Sequence, residues 1–292
     1  MDSHEHSLQV VPPAQLVSLK KEFSVRQLED ALLCVFPAQD ACDWDRTGLL
    51  VGDPDELITG VAVALDPTIR AMETACAVGA NVLITHHPLF IDAPDLFVPA
   101  HAQGENAGSR VAFALSHHLN CMSFHTACDV STEALDVLPA MLRLESLHPL
   151  ERLAPGSTKG FGMVCRPADG EVLTLTYLAA RCVSVFNAFP RVWGAPDTRI
   201  ERIATFGGSA TEALRACDEE AIDCLICGEV KYHDALDAAE SGLCIIELGH
   251  DVSELPLCAL LASEARAAGI TESSLTVINQ SKNWYTPETM RR

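Results

Sequence analysis

No uncharged apolar run in this sequence approaches the ~18 to 20 residues that a membrane-crossing helix needs. Basic residues are scarce: 20 Lys and Arg stand against 40 Asp and Glu, a formal net charge of −20. Such a chain repels a phosphate backbone, so neither nucleic acid nor membrane is expected as a partner. Acidity does not forbid a small phosphorylated molecule, because metal ions can supply local positive charge. The opening residues, MDSHEHSLQVVPPAQLVSLK, lack a basic start, an apolar block and a small-residue cleavage site, so a secretory signal is not expected. Residues 1–20 read as a loose extension, with His4 and His6 incidental, and the expected location is the cytoplasm. The twelve cysteines show no paired framework. They scatter through predicted helices and strands, as reduced, buried thiols do. Cys224 and Cys227 form a CxxC without a second pair. In a strand, residues three apart face opposite sides, which argues against a shared metal. There is no short-period repeat.

What is present is a large apolar fraction and regular alternation. The 292 residues are 48% hydrophobic, enough for one large domain or two ordinary ones. Ser24 with Gln27 reads as a capping box opening a helix. Val61–Leu65 reads as a strand, and Asp66-Pro67 as the cap of a helix running to Gly79. Asn81–Thr85 is a predicted strand, residues 90–104 a surface loop or lid, Cys121–His125 a strand and Thr132–Leu144 a helix. Short strands are expected near Phe161–Arg166 and Val172–Tyr177. From Ile200 to Ile278 strands and helices alternate strictly. Such a pattern, with β-branched strands, implies an α/β fold whose sheet is covered on both faces.

Three separate stretches, each after a predicted strand, carry metal-ligand residue types. They are Ile84-Thr85-His86-His87-Pro88, His125-Thr126-Ala127-Cys128-Asp129, and Gly249-His250-Asp251-Val252-Ser253-Glu254. Imidazole and carboxylate are ligands for Zn, Fe, Mn, Co or Ni. His86 and His87 are neighbours at a strand end and point to opposite sides, so each would serve its own ion. The same pair also reads as two surface histidines. Asp129 reads either as a ligand or as part of a helix cap. His250 and Glu254, four apart, share one helix face, or form a capping interaction. In open α/β sheets ligands bind beyond the carboxyl ends of strands, and all three stretches lie there. The joint reading is a dinuclear metal site. Glu229 and His233, after another strand, are candidates for a general base and for an acid or substrate contact. The Gly207-Gly208 turn is a candidate anion cradle. His117-His118 ends a helix, where positive charge suits the dipole.

The pieces DWDRTGLLVGD (43–53), ITHHPLF (84–90), HTACD (125–129), FGGSA (206–210) and GEVKYHDALDAAESGLCIIELGHDVSE (228–254) resemble, in content and order, the Nif-three-like proteins. That family is also described as GTP cyclohydrolase I type 2, or as dinuclear-metal-centre hexameric proteins. The resemblance implies metal ligands at His86, His87, Asp129, His250 and Glu254, with Glu254 bridging two divalent ions and His125 beside them. It implies two interlocked α/β domains, with mixed sheets covered by helices and the metal site at strand C-terminal ends. One domain would comprise 21–135 with 245–292, and the other 136–244. It further implies a toroidal homohexamer and a hydrolase that opens the purine ring of GTP with activated water, His125, Glu229 or His233 moving protons. Arg46 stands where relatives usually carry Asn; it or the glycine turn would meet phosphate. A phosphoester substrate fits the same metals. The competing reading is a metal store, metal chaperone or interaction scaffold without turnover.

Overall fold

A computed structural model of the protein describes residues 23–99, 106–281 and 283–284. The extension 1–20, with His4 and His6, and the last part of the 90–104 loop lie outside the described residues. No described helix is long and apolar enough to cross a membrane.

The chain builds two mixed sheets. The first contains β1 (Gly48–Val51), β2 (Val61–Ala64), β3 (Val82–Thr85), β4 (Asn120–Ser123) and β13 (Leu275–Val277), in the order β1-β4-β3-β2-β13. All its pairings are parallel except β1 with β4. The second contains β5 (Leu144–Arg152), β6 (Gly160–Pro167), β8 (Arg191–Trp193), β10 (Ile203–Ser209), β11 (Cys224–Glu229) and β12 (Cys244–Glu247), in the order β5-β6-β10-β11-β12-β8. Its three central strands β10, β11 and β12 are parallel. β7 (Leu173–Thr174) and β9 (Arg199–Ile200) form a small ribbon.

Each sheet is covered on both faces, as the strand composition predicts. On the first, Val61, Val63 and Ile84 face one core with Leu28, Phe124 and Leu261, while Ala62, Ala64 and Leu83 face another with Met72 and Val111. On the second, Cys224 belongs to one core and Cys227 to the other. The CxxC is therefore two structural thiols on opposite faces, each pushed to a high pKa by burial.

The long helix His250–Ala268 ties the sheets together. It leaves β12 of the second sheet, packs Cys258, Leu261, Ala262 and Ala265 into the first sheet's core, and leads on to β13. Its amino-terminal end carries His250 and, one turn on, Glu254, so the same element that joins the sheets carries part of the candidate site.

Several local expectations need correction. The Ser24–Gln27 capping box forms. Asp66, however, caps nothing: the next helix is Ile69–Ala77 and Thr68 is its cap. The predicted helix Thr132–Leu144 is broken into Thr132–Leu135 and Val137–Leu142. Pro139 has no N–H to give to the Leu135 carbonyl, so the run restarts. Only Leu173–Thr174 of the predicted strand Val172–Tyr177 is extended, because Thr174 accepts from the Tyr177 amide and opens the helix Leu175–Phe186. β1, β5 and β8 were hidden in Gly-, Asp- and Pro-containing stretches and pair antiparallel, where a neighbouring strand supplies the order that local propensity lacks. The described part of the 90–104 stretch packs against the start of helix Ala107–Ser116, since a Cβ at Gly108 would meet the Leu96 carbonyl at 1.6 Å.

Leu261 is fully buried where the long helix meets the first sheet. Leu261→Ala is expected to cost about 2–5 kcal/mol, read as a lowered midpoint in urea denaturation.

Candidate metal centre

The parallel strands of both sheets end at the same place. In the first sheet, backbone pairing continues one step past β3: the His86 amide bonds to Ala64 O at 3.3 Å and the His87 amide to Leu65 O at 3.0 Å. That fixes both histidines at the strand end. Thr85 Oγ1 donates to His87 O at 2.7 Å and holds the turn closed. His125 lies two residues past the end of β4, and Asp129 closes the single turn Thr126–Asp129. Ser131, not Asp129, caps the next helix, which frees the Asp129 carboxylate. From the second sheet come Glu229, ending β11, and His250, which begins the long helix two residues after Leu248.

The four histidines are held by one common device. His86 Nδ1 donates to the Phe124 carbonyl at 3.1 Å, and His87 Nδ1 to Asp66 Oδ1 at 2.8 Å. His125 Nδ1 donates to Asp45 Oδ1 at 3.1 Å, and His250 Nδ1 to Glu229 Oε1 at 3.0 Å. With Nδ1 so engaged, each ring is left with Nε2, a lone pair whenever the ring is neutral. This is the outer-shell arrangement that orients metal-binding histidines. Sequence reading found the rings but missed Asp45 and Asp66. Asp45 is itself locked by the Thr126 amide and hydroxyl at 2.9 and 2.5 Å. Burial works against its ionisation, yet hydrogen bonds from His125 and Thr126 hold its pKa down to about 2.

The free nitrogens converge on two carboxylates. His87 Nε2 and His250 Nε2 lie 3.0 and 3.1 Å from Glu254 Oε2. His86 Nε2 lies 3.9 Å from Glu254 Oε1 and 3.4 Å from Asp129 Oδ1. Despite these approaches, Glu254 Oε2 and His86 Nε2 are buried without an aligned hydrogen-bond partner. The atoms aim at the space between them rather than at one another. A buried polar atom left unpaired costs roughly 1–3 kcal/mol, and a divalent cation would satisfy several of these at once. Two groups of ligand atoms each fall within 4.8 Å: His86, His87 and His125, and His87, His250 and Glu254. Asp129 belongs to neither group, although it stands beside His86. The residue types and spacing fit Zn, Fe, Mn, Co or Ni.

Charges follow this crowding. Burial pulls His86 down to about 3. Burial also acts to lower His87, but Asp66 and Glu254 overcome it and lift the ring to about 10. The Glu254 carboxylate raises His250 to about 9 against burial, with Glu229 adding to it. Burial and the neighbouring Glu254 push Asp129 up. Glu254 is driven well below the carboxylate range, its burial outweighed by His250, His87 and His86.

The cluster opens into a cavity of about 430 Å³ between the sheets. His125, Asp129, His250 and Glu254 form one end, and Trp44, Phe161, Phe206 and Lys231 line the walls. Among the sequence-derived candidates, Glu229 is occupied by His250. His233 is exposed, with Tyr232 against its ring, and does not line the cavity. Arg46 also lies outside the lining and turns to the Asp45 carbonyl at 3.5 Å. His117 stacks on Phe113 with ring centres 3.9 Å apart. The Gly207-Gly208 turn is a bulge in β10 with a packing task. Gly208 has φ +63°, its amide donates to Ser253 at 2.9 Å, and a Cβ there would meet Glu254 Oε1 at 2.4 Å.

Fold and cluster together define an α/β protein with a histidine–carboxylate centre able to hold metal. The chain belongs to the Duf34/NIF3 (NGG1p interacting factor 3) family, whose model matches residues 23–283. A Streptomyces coelicolor protein named GTP cyclohydrolase 1 type 2 homolog is 28% identical over 80% of this chain and 82% of its own length. A protein of the same name from Staphylococcus aureus (strain MRSA252) is 32% identical over 73% of this chain and 85% of its own. Among solved structures, a Staphylococcus aureus hypothetical protein superposes with TM-score 0.79 at 25% identity, covering 91% of this chain and all of its own. Reduced HcgD from Methanocaldococcus jannaschii shares the fold, with TM-score 0.73 at 21% identity, covering 89% of this chain and 98% of its own.

His87 and His250 hold protons more tightly in the folded chain than at the ordinary value near 6.5. Their contribution to metal-free stability is complete below that value and is lost as pH rises through about 9 to 10. The thermal midpoint of the metal-free protein should therefore fall between about pH 7 and pH 9. The His87→Gln, His250→Gln double variant should give a flatter profile.

Proposed function

We propose that this protein is a dinuclear metal-dependent hydrolase. The observation that carries the reading is the set of four imidazoles, each tied back through Nδ1, three of which (His86, His87 and His250) bring Nε2 up to Glu254 or Asp129 at the end of a cavity. His86, His87, Asp129, His250 and Glu254 are the ligands in this reading. Glu254, whose two oxygens face different histidines, would be shared between the two sets of donors. Two divalent ions bound there would supply Lewis acidity and bring a bound water toward neutral pKa.

The rest is the work of the chain's own residues. Asp66 and Glu229 keep His87 and His250 in the ligand tautomer. Asp45 does the same for His125, which lines the cavity and is placed to take or give a proton at Nε2. Trp44, Phe161 and Phe206 give the cavity apolar walls, and Lys231 offers a cation to an anionic substrate. The names of the curated relatives support GTP as the first substrate to examine, with ring opening by water; a phosphoester is the second. The same family resemblance supports a cytoplasmic homohexamer. We also propose the two-domain division, with the return crossing placed after β12, whose Cys224–Cys244 to Cys227–Glu247 pairing keeps it in the second sheet.

One observation favours the alternative of a metal store, chaperone or scaffold. Glu229 is spent on His250, and His233 stands off the cavity, so two of three spare acid–base groups are not free for substrate. The test combines metal content with turnover. Protein purified without added metal should contain about two transition-metal ions per chain by elemental analysis, on the two-metal arrangement. His87→Ala and Glu254→Ala should lose most of that metal. Consumption of GTP or a phosphoester, abolished in His86→Ala, supports the hydrolase. Full metal occupancy without turnover of either would overturn it in favour of storage.

A further inference from the structure

The segment after β13 runs back to the candidate site. Ile278 continues the strand with an amide bond to Val63 O at 2.8 Å. Two residues on, the side chain of Gln280 is buried, with 5% of its surface exposed. Its Oε1 accepts from the Leu65 and Asp66 amides at 2.7 and 2.9 Å, and its Nε2 donates to the Asp66 carbonyl at 3.0 Å. One side chain thus holds both the N–H and the C=O of Asp66. That residue lies between β2 and helix Ile69–Ala77, outside any ladder or helix that would otherwise fix it. Asp66 in turn accepts from His87 Nδ1 at 2.8 Å. Four residues beyond Gln280, Trp284 Nε1 donates to Asp251 Oδ2 at 2.9 Å, beside His250.

We propose that Gln280 is a positioning residue for the metal centre, and that residues 278–281, together with Trp284, act as a strap across its outer side. Gln280 fixes the Asp66 backbone. The Asp66 carboxylate then sets the tautomer and direction of the His87 ring. The strap deepens the metal reading and rests on His87 being a ligand. A buried glutamine whose only task was stability would have no reason to report on metal affinity through one particular carboxylate.

The test uses the full chain and three variants: Gln280→Leu, Asp66→Ala and the double. Zn(II) affinity is measured by competition with a chromophoric chelator, and Co(II) spectra report ligand geometry. Loss of an outer-shell partner costs about 10–100-fold in metal affinity, so Asp66→Ala should fall in that range. Gln280→Leu should lose about tenfold, the lower end of that range, and alter the Co(II) spectrum. The double variant should bind no worse than Asp66→Ala, because the two act in series. Wild-type affinity in Gln280→Leu, or losses that simply add, would overturn the proposal. Gln280→Glu keeps the acceptor for both amides and covers the case where the leucine variant fails to fold; it should bind better than Asp66→Ala.

A metal-independent arm separates the strap from the metal reading. In the metal-free protein the His87 Nδ1 proton, bonded to Asp66, should give a slowly exchanging NMR signal that is lost or shifted in Gln280→Leu. An unchanged signal overturns the strap even when the wild type binds metal. A wild type that takes up neither Zn(II) nor Co(II), with the signal still dependent on Gln280, overturns the ligand role of His87 and leaves the positioning of its ring supported.

Discussion

A buried carboxylate governs this structure. Glu254 sits one turn into the long helix with 5% of its side chain exposed, and an ion placed there must be compensated. His87 and His250 compensate it from two sides, and His86 approaches its other oxygen. The glycine bulge of β10 exists on its account: a side chain at 208 would occupy the space of Oε1. Ser253 ties that bulge down through the Gly208 amide, so the residue next to Glu254 maintains the clearance around it.

The second governing fact is that the site belongs to neither sheet alone. β2, β3 and β4 bring Asp66, His86, His87 and His125 from one side, and β10, β11 and β12 bring the glycine bulge, Glu229 and His250 from the other. Parallel strands that end together present several loop residues at one level. Two such ends facing one another give both a closely packed ligand cluster and a cavity beside it. Each histidine is then fixed by a contact that its own strand does not supply: a carbonyl for His86 and a carboxylate for the other three.

The sequence made most of the clustered side chains legible and left their supports obscure. His86, His87, His125, His250 and Glu254 each follow an apolar run, a pattern visible within a dozen residues. Asp45 and Gln280 act across 80 and 214 residues of chain, and no local pattern encodes such a pairing. Asp66 was misread for a physical reason. An aspartate before proline satisfies the signals of a helix cap, but Thr68 took that task and left the carboxylate to His87. Glu229 was legible as an acid at a strand end, while its engagement with His250 was not. The antiparallel edges β1, β5 and β8 were missed because their order comes from a neighbouring strand, whereas the parallel α/β core announced itself by β-branched runs and regular alternation.

The long helix between β12 and β13 has a consequence for timing. During synthesis the amino-terminal histidines exist long before the helix bearing His250 and Glu254, and the second donor group, with His87, is incomplete until that helix arrives. An ion at that second group would have to wait for this helix to dock. The free energy of its binding would then be shared by both sheets at once, since a ligand favours only the state in which its donors are assembled. The helix thereby acts as a latch that lets a few donor atoms secure two separate layers of the fold.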